Sequence, residues 1–350
     1  MAEETILIDG SQGEGGGQIL RTSVGLAAAL GLGVRITSIR ARRKPAGLRA
    51  QHLAAVRAAA TICQAQVTGD RIGSSELTFL SGEVRPGPYQ FDIGTAGSAV
   101  LVIQTILPAL MLADGESGVT VTGGTHNPFA PCFHYLRDVF AVLASACNLQ
   151  AYFEMERAAF FPRGGGSLRM QIRGVGSSQN VEPMGYVSRG DLRYIEGISA
   201  AGSSLPGHVV ERQTTQALGR LAAAAHRATI EQAVWDTASP GTVVFLRTVF
   251  TRTVAGFFAL GARGKPAERV ADEAVEPLLA FLQSTGAVDA HAADQLITLS
   301  ALCPDESRFL TERVTDHLLT NAQVIRQMTG RNVRIEGEAG QEGMVTVEPL

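Results

Sequence analysis

The chain has 350 residues and a mass of 36.9 kDa, more than one typical domain and enough to bury a sizeable core. Hydrophobic residues make up 45% and charged residues 18%, which excludes a disordered, highly charged chain. The net charge of −3 excludes a global basic field, so any nucleic-acid site must be local.

The N-terminus, MAEETILIDG, is acidic and at once β-like, with neither the basic start nor the apolar run of a secretory leader. An apolar strand, Thr5–Asp9, meets the loop Ser11-Gln-Gly-Glu-Gly-Gly-Gly-Gln18, and a Leu- and Ala-rich helix follows over Ile19–Leu32. A second strand is expected over Val34–Arg42 and a helix from Gln51 to Gln66. The strand–loop–helix phrase recurs: Phe91–Ile93 leads through Gly94–Ser98 to a helix over Ala99–Ala113, and Val119–Thr122 leads through Gly123–Pro131 to a helix over Phe133–Ala146. A shorter version, Asp289–Gln295, opens a helix over Leu296–Cys303. Such repetition implies an α/β fold of similar modules. Ala99–Ala113, which contains Gln104 and Pro108, is too short for a membrane span of roughly 20 residues.

The middle of the chain reads differently. After a β-like Leu168–Ile172, the run Pro183-Met-Gly185 marks a boundary. Strands over Tyr186–Val187, Ile195–Ala200 and Thr242–Phe250, with helices over Val209–Ala225 and Ala267–Ser284, suggest an inserted domain. Its ten basic and nine acidic residues nearly cancel, so it offers no nucleic-acid platform. The four cysteines, Cys63, Cys132, Cys147 and Cys303, form no C-x-x-C pair; they give no disulfide framework and imply a reducing, cytoplasmic setting.

Several segments carry candidate chemistry. Backbone N–H groups between the first strand and helix make an anion site, yet the loop is neither a Walker A sequence nor a dinucleotide fingerprint, because Gln18 stands where the last glycine belongs. By itself it is read equally as a structural turn or a phosphate cradle. Glu14 in its middle would repel a phosphate unless a divalent cation lay between them. Residues 31–50 hold Arg35, Arg40, Arg42, Arg43, Lys44 and Arg49 with no acid; this is either a guarded strand edge or a bidentate polyanion site, to which Arg21 can point as well. His317, in Thr315-Asp-His-Leu-Leu-Thr-Asn321, is placed in the first turn of a helix, whose positive end keeps an imidazole neutral and nucleophilic; a lone histidine is nevertheless more often structural. Phe161-Pro-Arg-Gly-Gly-Gly166 reads as a turn before a strand. No HExxH or similar spacing exists among the seven histidines, so no zinc site is expected.

Together these segments resemble the RNA 3′-terminal phosphate cyclases, over nearly the whole chain and in order. The resemblance is carried by Asp9-Gly-Ser-Gln-Gly-Glu-Gly-Gly-Gly-Gln-Ile-Leu-Arg21, Lys44-Pro-Ala-Gly-Leu-Arg-Ala-Gln-His52, Asp92-Ile-Gly-Thr-Ala-Gly-Ser98, Gly123-Gly-Thr-His-Asn-Pro128, Pro162-Arg-Gly-Gly-Gly166, Ala293-Asp-Gln295 and His317-Leu-Leu-Thr-Asn321. It implies an α+β fold: a large domain of repeated βαβαββ-like units (residues 1–184 and 284–350) with a smaller α/β domain (185–283) inserted. It implies an ATP-dependent ligase in which His317 takes AMP from ATP, passes it to an RNA 3′-phosphate, and the 2′-hydroxyl then closes a 2′,3′-cyclic ester. Glu14 is expected to hold Mg²⁺ or Mn²⁺; Arg21, Arg42, Arg43 and Gln51 to hold phosphates of ATP or of the RNA end; Gln104, His291, Ala292, Ala293, Asp294 and Gln295 to bind the nucleotide; and Pro131 to pack on adenine. A homodimer is compatible with it. His291 stands where the family often has tyrosine, and Ala158-Ala159 where it tends to have Arg/His-Gly. Two rivals share the architecture: a non-catalytic ribosome-assembly branch, which would lack the histidine, and an enolpyruvyl transferase, which would spread its basic residues over two equal domains.

Overall fold

The computed structural model describes residues 5–349, so the acidic first four residues, on which part of the N-terminal reading rests, lie outside the described residues. The first unit runs β1 (Ile6–Asp9), α1 (Gln18–Leu30), β2 (Gly33–Thr37), α2 (Ala50–Cys63), β3 (Gln66–Thr68) and β4 (Leu77–Leu80). Its sheet has the order β1-β2-β4-β3, with β1 and β2 parallel and β4 antiparallel to both neighbours. The parallel pair needs a crossover, which α1 supplies. The second unit repeats the scheme: β5 (Pro88–Asp92), α3 (Ala99–Leu112), β6 (Glu116–Gly123), a helical stretch formed by α4 (Phe133–Tyr135), a π-helical turn (Leu136–Phe140) and α5 (Ala141–Ala144), then β7 (Gln150–Arg157) and β8 (Gly166–Arg173). Its order, β5-β6-β8-β7, and its strand senses match the first.

The third unit starts with β9 (Gly185–Tyr186) and is then interrupted by β10 (Leu192–Gly202), α6 (His208–Ala223), β11 (Ala228–Trp235), β12 (Thr242–Phe250), β13 (Val254–Leu260) and α7 (Ala267–Gln283). These strands form a separate sheet, β11-β10-β12-β13, whose apolar core includes Ile195, Leu246, Val275 and Phe281. The unit resumes with α8 (Ala290–Ser300), β14 (Ser307–Thr311), α9 (Asp316–Thr329), β15 (Val333–Glu336) and β16 (Gly343–Val347). Its sheet, β15-β16-β14-β9, has β9 parallel to β14 and β16 antiparallel to both neighbours. The fold is therefore α/β, three βαβαββ units with a smaller α/β segment inserted in the third.

The helices meet at the centre. Twelve of the fourteen residues of α3 are buried, as its all-round apolar sequence requires, and α1 and α2 both pack on it. No helix among the described residues is long and apolar enough to cross a membrane. All four cysteines are free and buried.

Three expectations need correction. The strand expected over Val34–Arg42 ends at Thr37: Ser38 and Arg40 have positive φ (51° and 54°), and turn bonds Ala41 N–H to Ser38 O and Arg43 N–H to Arg40 O follow. The arginines from Arg40 to Arg49 are thus on a loop, and only Arg35 guards a strand, paired with Glu76 at 3.1 Å. Asp289–Gln295 is not a prelude to α8 but its first turns, because the Asp289 carboxylate caps the Ala292 N–H at 3.0 Å. β3, β4, β7, β11, β13, β14, β15 and β16 have no counterpart in the sequence reading.

Gly25 fixes the distance between α1 and α3, since a Cβ there would lie 2.8 Å from the Thr105 carbonyl oxygen. In an open helix Gly→Ala gains about 1 kcal/mol; here the backbone clash outweighs it. Gly25→Ala is expected to lose about 1–3 kcal/mol in denaturant unfolding, and a variant as stable as the parent would show that the helices move apart freely.

Candidate active site

A cavity of about 630 Å³ opens where the first turns of α1 and α9 meet α2, α3 and α8. The glycine loop wraps its floor. Gly13 has φ +54° and lies against α9, where a Cβ would fall 2.2 Å from Thr320 Oγ1. The next corner is Gly15, at φ +59°. Gly17 leaves room for two donor side chains: a Cβ on it would be 2.4 Å from His52 Nε2 and 2.9 Å from Arg21 Nη1.

Asn321, fully buried, fixes the frame beneath. Its Oδ1 accepts from Thr22 Oγ1 (2.7 Å) and Gln18 Nε2 (3.2 Å) on α1, and its Nδ2 donates to the Asp294 carbonyl on α8 (2.6 Å). His317 is the second residue of α9, whose N-cap Thr315 accepts from the Leu318 N–H. Its Nδ1 lies 3.3 Å from Glu14 Oε1, yet it is buried without an aligned hydrogen bond. Burial lowers the His317 pKa below its ordinary value; Glu14 opposes the shift, while Arg21 and other cations add to it. The imidazole is therefore neutral at pH 7.

Most residues singled out by sequence line this one cavity: Glu14, Arg21, Arg43, Gln51, Gln104, Pro131, His291, Asp294, Gln295 and His317. Three do not. Arg42 turns away, its Nη1 donating to the Gly13 carbonyl at 2.7 Å and bracing the glycine loop. Ala292 and Ala293 are wholly buried in α8. Gln104 Nε2 donates to Gln295 Oε1, joining α3 to α8.

The sequence reading missed several lining residues. Arg40 faces the cavity from the arginine loop, visible in the sequence only as one of six cations. His52 is buried, and desolvation with Arg21, Arg40 and Arg49 nearby brings its pKa down to about 3. Its Nδ1 accepts from the Arg49 N–H at 3.3 Å, so the proton is on Nε2, beside Gly17. Phe258 reaches the cavity from the inserted segment, and Phe129, fully exposed, stands at the rim; neither carries a local sequence signal. Arg21 falls to about 10 through burial and remains cationic at neutral pH.

Such a site can take a polyanion: guanidinium groups and an imidazole donor surround a carboxylate. Glu14 fits a divalent cation, because its two oxygens meet only the partly exposed Arg43 (3.3 Å) and His317, a donor set that leaves lone pairs for a hard ion shared with phosphate oxygens.

The family model described as "RTC: RNA 3'-terminal phosphate cyclase" matches residues 12–335. The chain belongs to this family. A relative named RNA 3′-terminal phosphate cyclase from Methylococcus capsulatus is 44% identical, covering 91% of this chain and 89% of its own. One of the same name from Archaeoglobus fulgidus is 41% identical over 95% and 98%, and one from Ectopseudomonas mendocina 40% over 99% of each. Among solved structures, the enolpyruvyl transferase NikO from Streptomyces tendae aligns with 99% of this chain and 67% of its own at 13% identity and a TM-score of 0.28, too slight a likeness to bear on function.

Behind the α9 cap lies a set of buried acids. Thr315 Oγ1 donates to Asp294 Oδ1, and burial, with Asp289 and Glu312 nearby, pushes Asp294 up to about 8 despite that bond. The folded-state value exceeds the 3.8 of a free carboxyl, so the native chain binds more protons between these values and its stability falls as pH rises through that window. Asp294→Asn keeps the acceptor and removes the ionisation. Its melting temperature relative to the parent should climb from pH 4 toward pH 8, a window set by the same two values; a gap independent of pH would refute the shift.

Proposed function

We propose that this chain converts an RNA 3′-terminal phosphate into a 2′,3′-cyclic phosphodiester at the expense of ATP, with His317 as the nucleophile. The carrying observation is the meeting of a neutral first-turn imidazole with Glu14, Arg21, Arg40 and His52 at one cavity whose far side is formed by Gln104, Pro131, His291 and Gln295. Family membership supplies the substrate class. The far side suits a nucleobase and the near side a triphosphate.

In this reading Glu14 Oε1 beside His317 Nδ1 favours the tautomer with the proton on Nδ1, leaving the Nε2 lone pair free to attack. Nε2 bonds to the α-phosphorus of ATP and the bond to pyrophosphate breaks. An oxygen of the RNA 3′-phosphate then displaces the histidine and takes AMP. Finally the vicinal 2′-hydroxyl attacks the 3′-phosphorus, AMP departs and a proton is released. A P–N link is reactive enough to hand AMP to another phosphate, which is why a nitrogen nucleophile serves here. Mg²⁺ or Mn²⁺ held at Glu14 supplies charge neutralisation to the phosphates. Arg21, Arg40, Arg43 and the His52 Nε2–H hold phosphate oxygens, and Gln51, whose Oε1 accepts the Ser98 N–H at 3.2 Å, orients its amide toward them. The same reading divides the chain into a large domain (1–184 and 284–350) and an inserted domain (185–283), supported by the inserted segment's own apolar core.

Incubation with α-labelled ATP is the test. The parent should acquire an acid-labile, hydroxylamine-resistant label and His317→Ala none, while His317→Ala still cyclises a pre-adenylated RNA 3′-end. A labelled His317→Ala would overturn the assignment; loss of both activities with a lowered melting temperature would mean misfolding instead.

For the cation role, Glu14→Ala should slow self-adenylation by on the order of 100-fold or more, while circular dichroism stays that of the parent. Full activity in that variant removes Glu14 from the metal site.

A further inference from the structure

We propose that His126, Cys132 and His134 form a binding site for a tetrahedral, thiolate-preferring divalent cation of the zinc class, separate from the cation held at Glu14. One ligand atom from each lies within 4.8 Å of the other two, and all three residues are buried. His126 Nε2 and His134 Nδ1 are 3.2 Å apart. Two nitrogens bound at about 2.0–2.1 Å to one tetrahedral ion stand about 3.4 Å apart, so the imidazoles already have the required spacing.

The outer shell is also in place. His126 Nδ1 meets Thr125 Oγ1 at 2.8 Å. That hydroxyl accepts the Ala159 N–H (2.9 Å) and lies 3.1 Å from the Ala159 carbonyl, to which it donates its proton. With its proton committed, Thr125 is an acceptor toward His126, which fixes the hydrogen on Nδ1 and aims the Nε2 lone pair at His134. A ligating histidine held through its other nitrogen is the usual arrangement at metal sites. Burial pushes the Cys132 thiol up to about 12, while the backbone N–H groups of Tyr135 and His134 favour the thiolate. Phe160, Trp235 and Phe245 wall the cluster from solvent, with Trp235 stacked on His134.

Without metal, one proton between the two imidazoles occupies the place of the ion. On binding, the His134 hydrogen shifts from Nδ1 to Nε2 and the Cys132 thiol releases its proton, so one proton leaves per cation bound. Three protein ligands leave the fourth position for water or another oxygen. The ligands span the sequence H-x5-C-x-H and bracket Pro128–Pro131, so the ion would clip the loop that forms the rim of the nucleotide cavity.

The test uses the tag-free full chain, expressed with zinc supplied and then dialysed against excess Mg²⁺. Elemental analysis should find about one zinc per chain. Cys132→Ser, a near-isosteric change, should reduce it to background while circular dichroism stays that of the parent. Glu14→Ala should retain it. Parent protein loaded with Co²⁺ should show thiolate-to-cobalt charge-transfer absorption, which requires no variant to fold. No retained zinc in the parent, zinc retained equally by Cys132→Ser, zinc lost with Glu14→Ala, or Co²⁺ without the thiolate band would each overturn the proposal. The adenylation assay above can succeed or fail independently of every one of these outcomes.

Discussion

The site depends on one buried amide. Asn321 has four hydrogen-bonding positions and no exposure, and from α9 it binds two other helices, through Thr22 and Gln18 of α1 and the Asp294 carbonyl of α8. A buried amide that loses a partner costs about 1–3 kcal/mol, so its satisfaction couples the first unit, which carries the glycine loop, to the third, which carries His317. Since α9 enters the cavity at its N-terminus, the rotation of Asn321 sets where His317, one turn earlier, points. A network that is complete only when three elements are in register specifies one geometry.

Above that frame, like charges are held together with few counterions. Arg40 is depressed by burial and by Arg49 and Arg43, His52 by burial and the arginines around it. Glu14 faces them, bonded to Arg43 across 3.3 Å. Cations that must share a desolvated wall are stabilised by whatever anion enters, and the preference grows with the anion's charge. A triphosphate or a terminal RNA phosphate answers this demand; a neutral ligand does not. The neutral His52 adds a donor without adding to the repulsion, a role that lysine in its place would not fill.

The sequence made the repeated unit legible wherever a helix was long and apolar, because period and glycine punctuation are local properties. Hence α1, α3, α6 and α7 were expected within a few residues of their observed bounds, and the glycine loop, His317 and Glu14 were recognisable as candidate chemistry. Several strands were not, whether three to five residues long like β3, β4, β14, β15 and β16 or seven to eight like β7, β11 and β13, because their identity comes from pairing across the sheet, which no window of sequence contains. The strand expected to run to Arg42 stops at Thr37, because positive φ at Ser38 and Arg40 leaves no compositional mark on residues other than glycine. The resemblance places Arg42 among the phosphate ligands, and only the fold reveals that its guanidinium braces Gly13. Phe258 comes from the inserted segment, and its place at the cavity is a property of docking alone.

That docking explains how a repeat can be interrupted without losing its site. The chain leaves the third unit after Tyr186 and returns at α8, and Arg189 binds the two crossings together. Its guanidinium donates to the carbonyls of Phe281, Leu282, Ser284 and Gly286 at 2.6–3.3 Å and lies over the rings of Phe250 and Phe281. Helical donors run out at the C-terminal end of α7, where the Phe281 carbonyl meets the Ser284 N–H at 3.1 Å, so a cation there supplies several carbonyls at once and meets the negative end of the helix. With exit and entry fixed side by side, the β9–β14 pairing, Tyr186 with Phe309, survives an interruption running from β10 to α7, since loop-closure cost grows only slowly with length. From the same direction Gly256 N–H donates to Asp289 Oδ2 at 3.1 Å and Arg247 Nη1 to the Asp138 carbonyl at 3.1 Å. These contacts bring β13, and with it Phe258, to the cavity. The inserted segment is therefore not a passenger: it is clamped at its root and supplies a wall of the site.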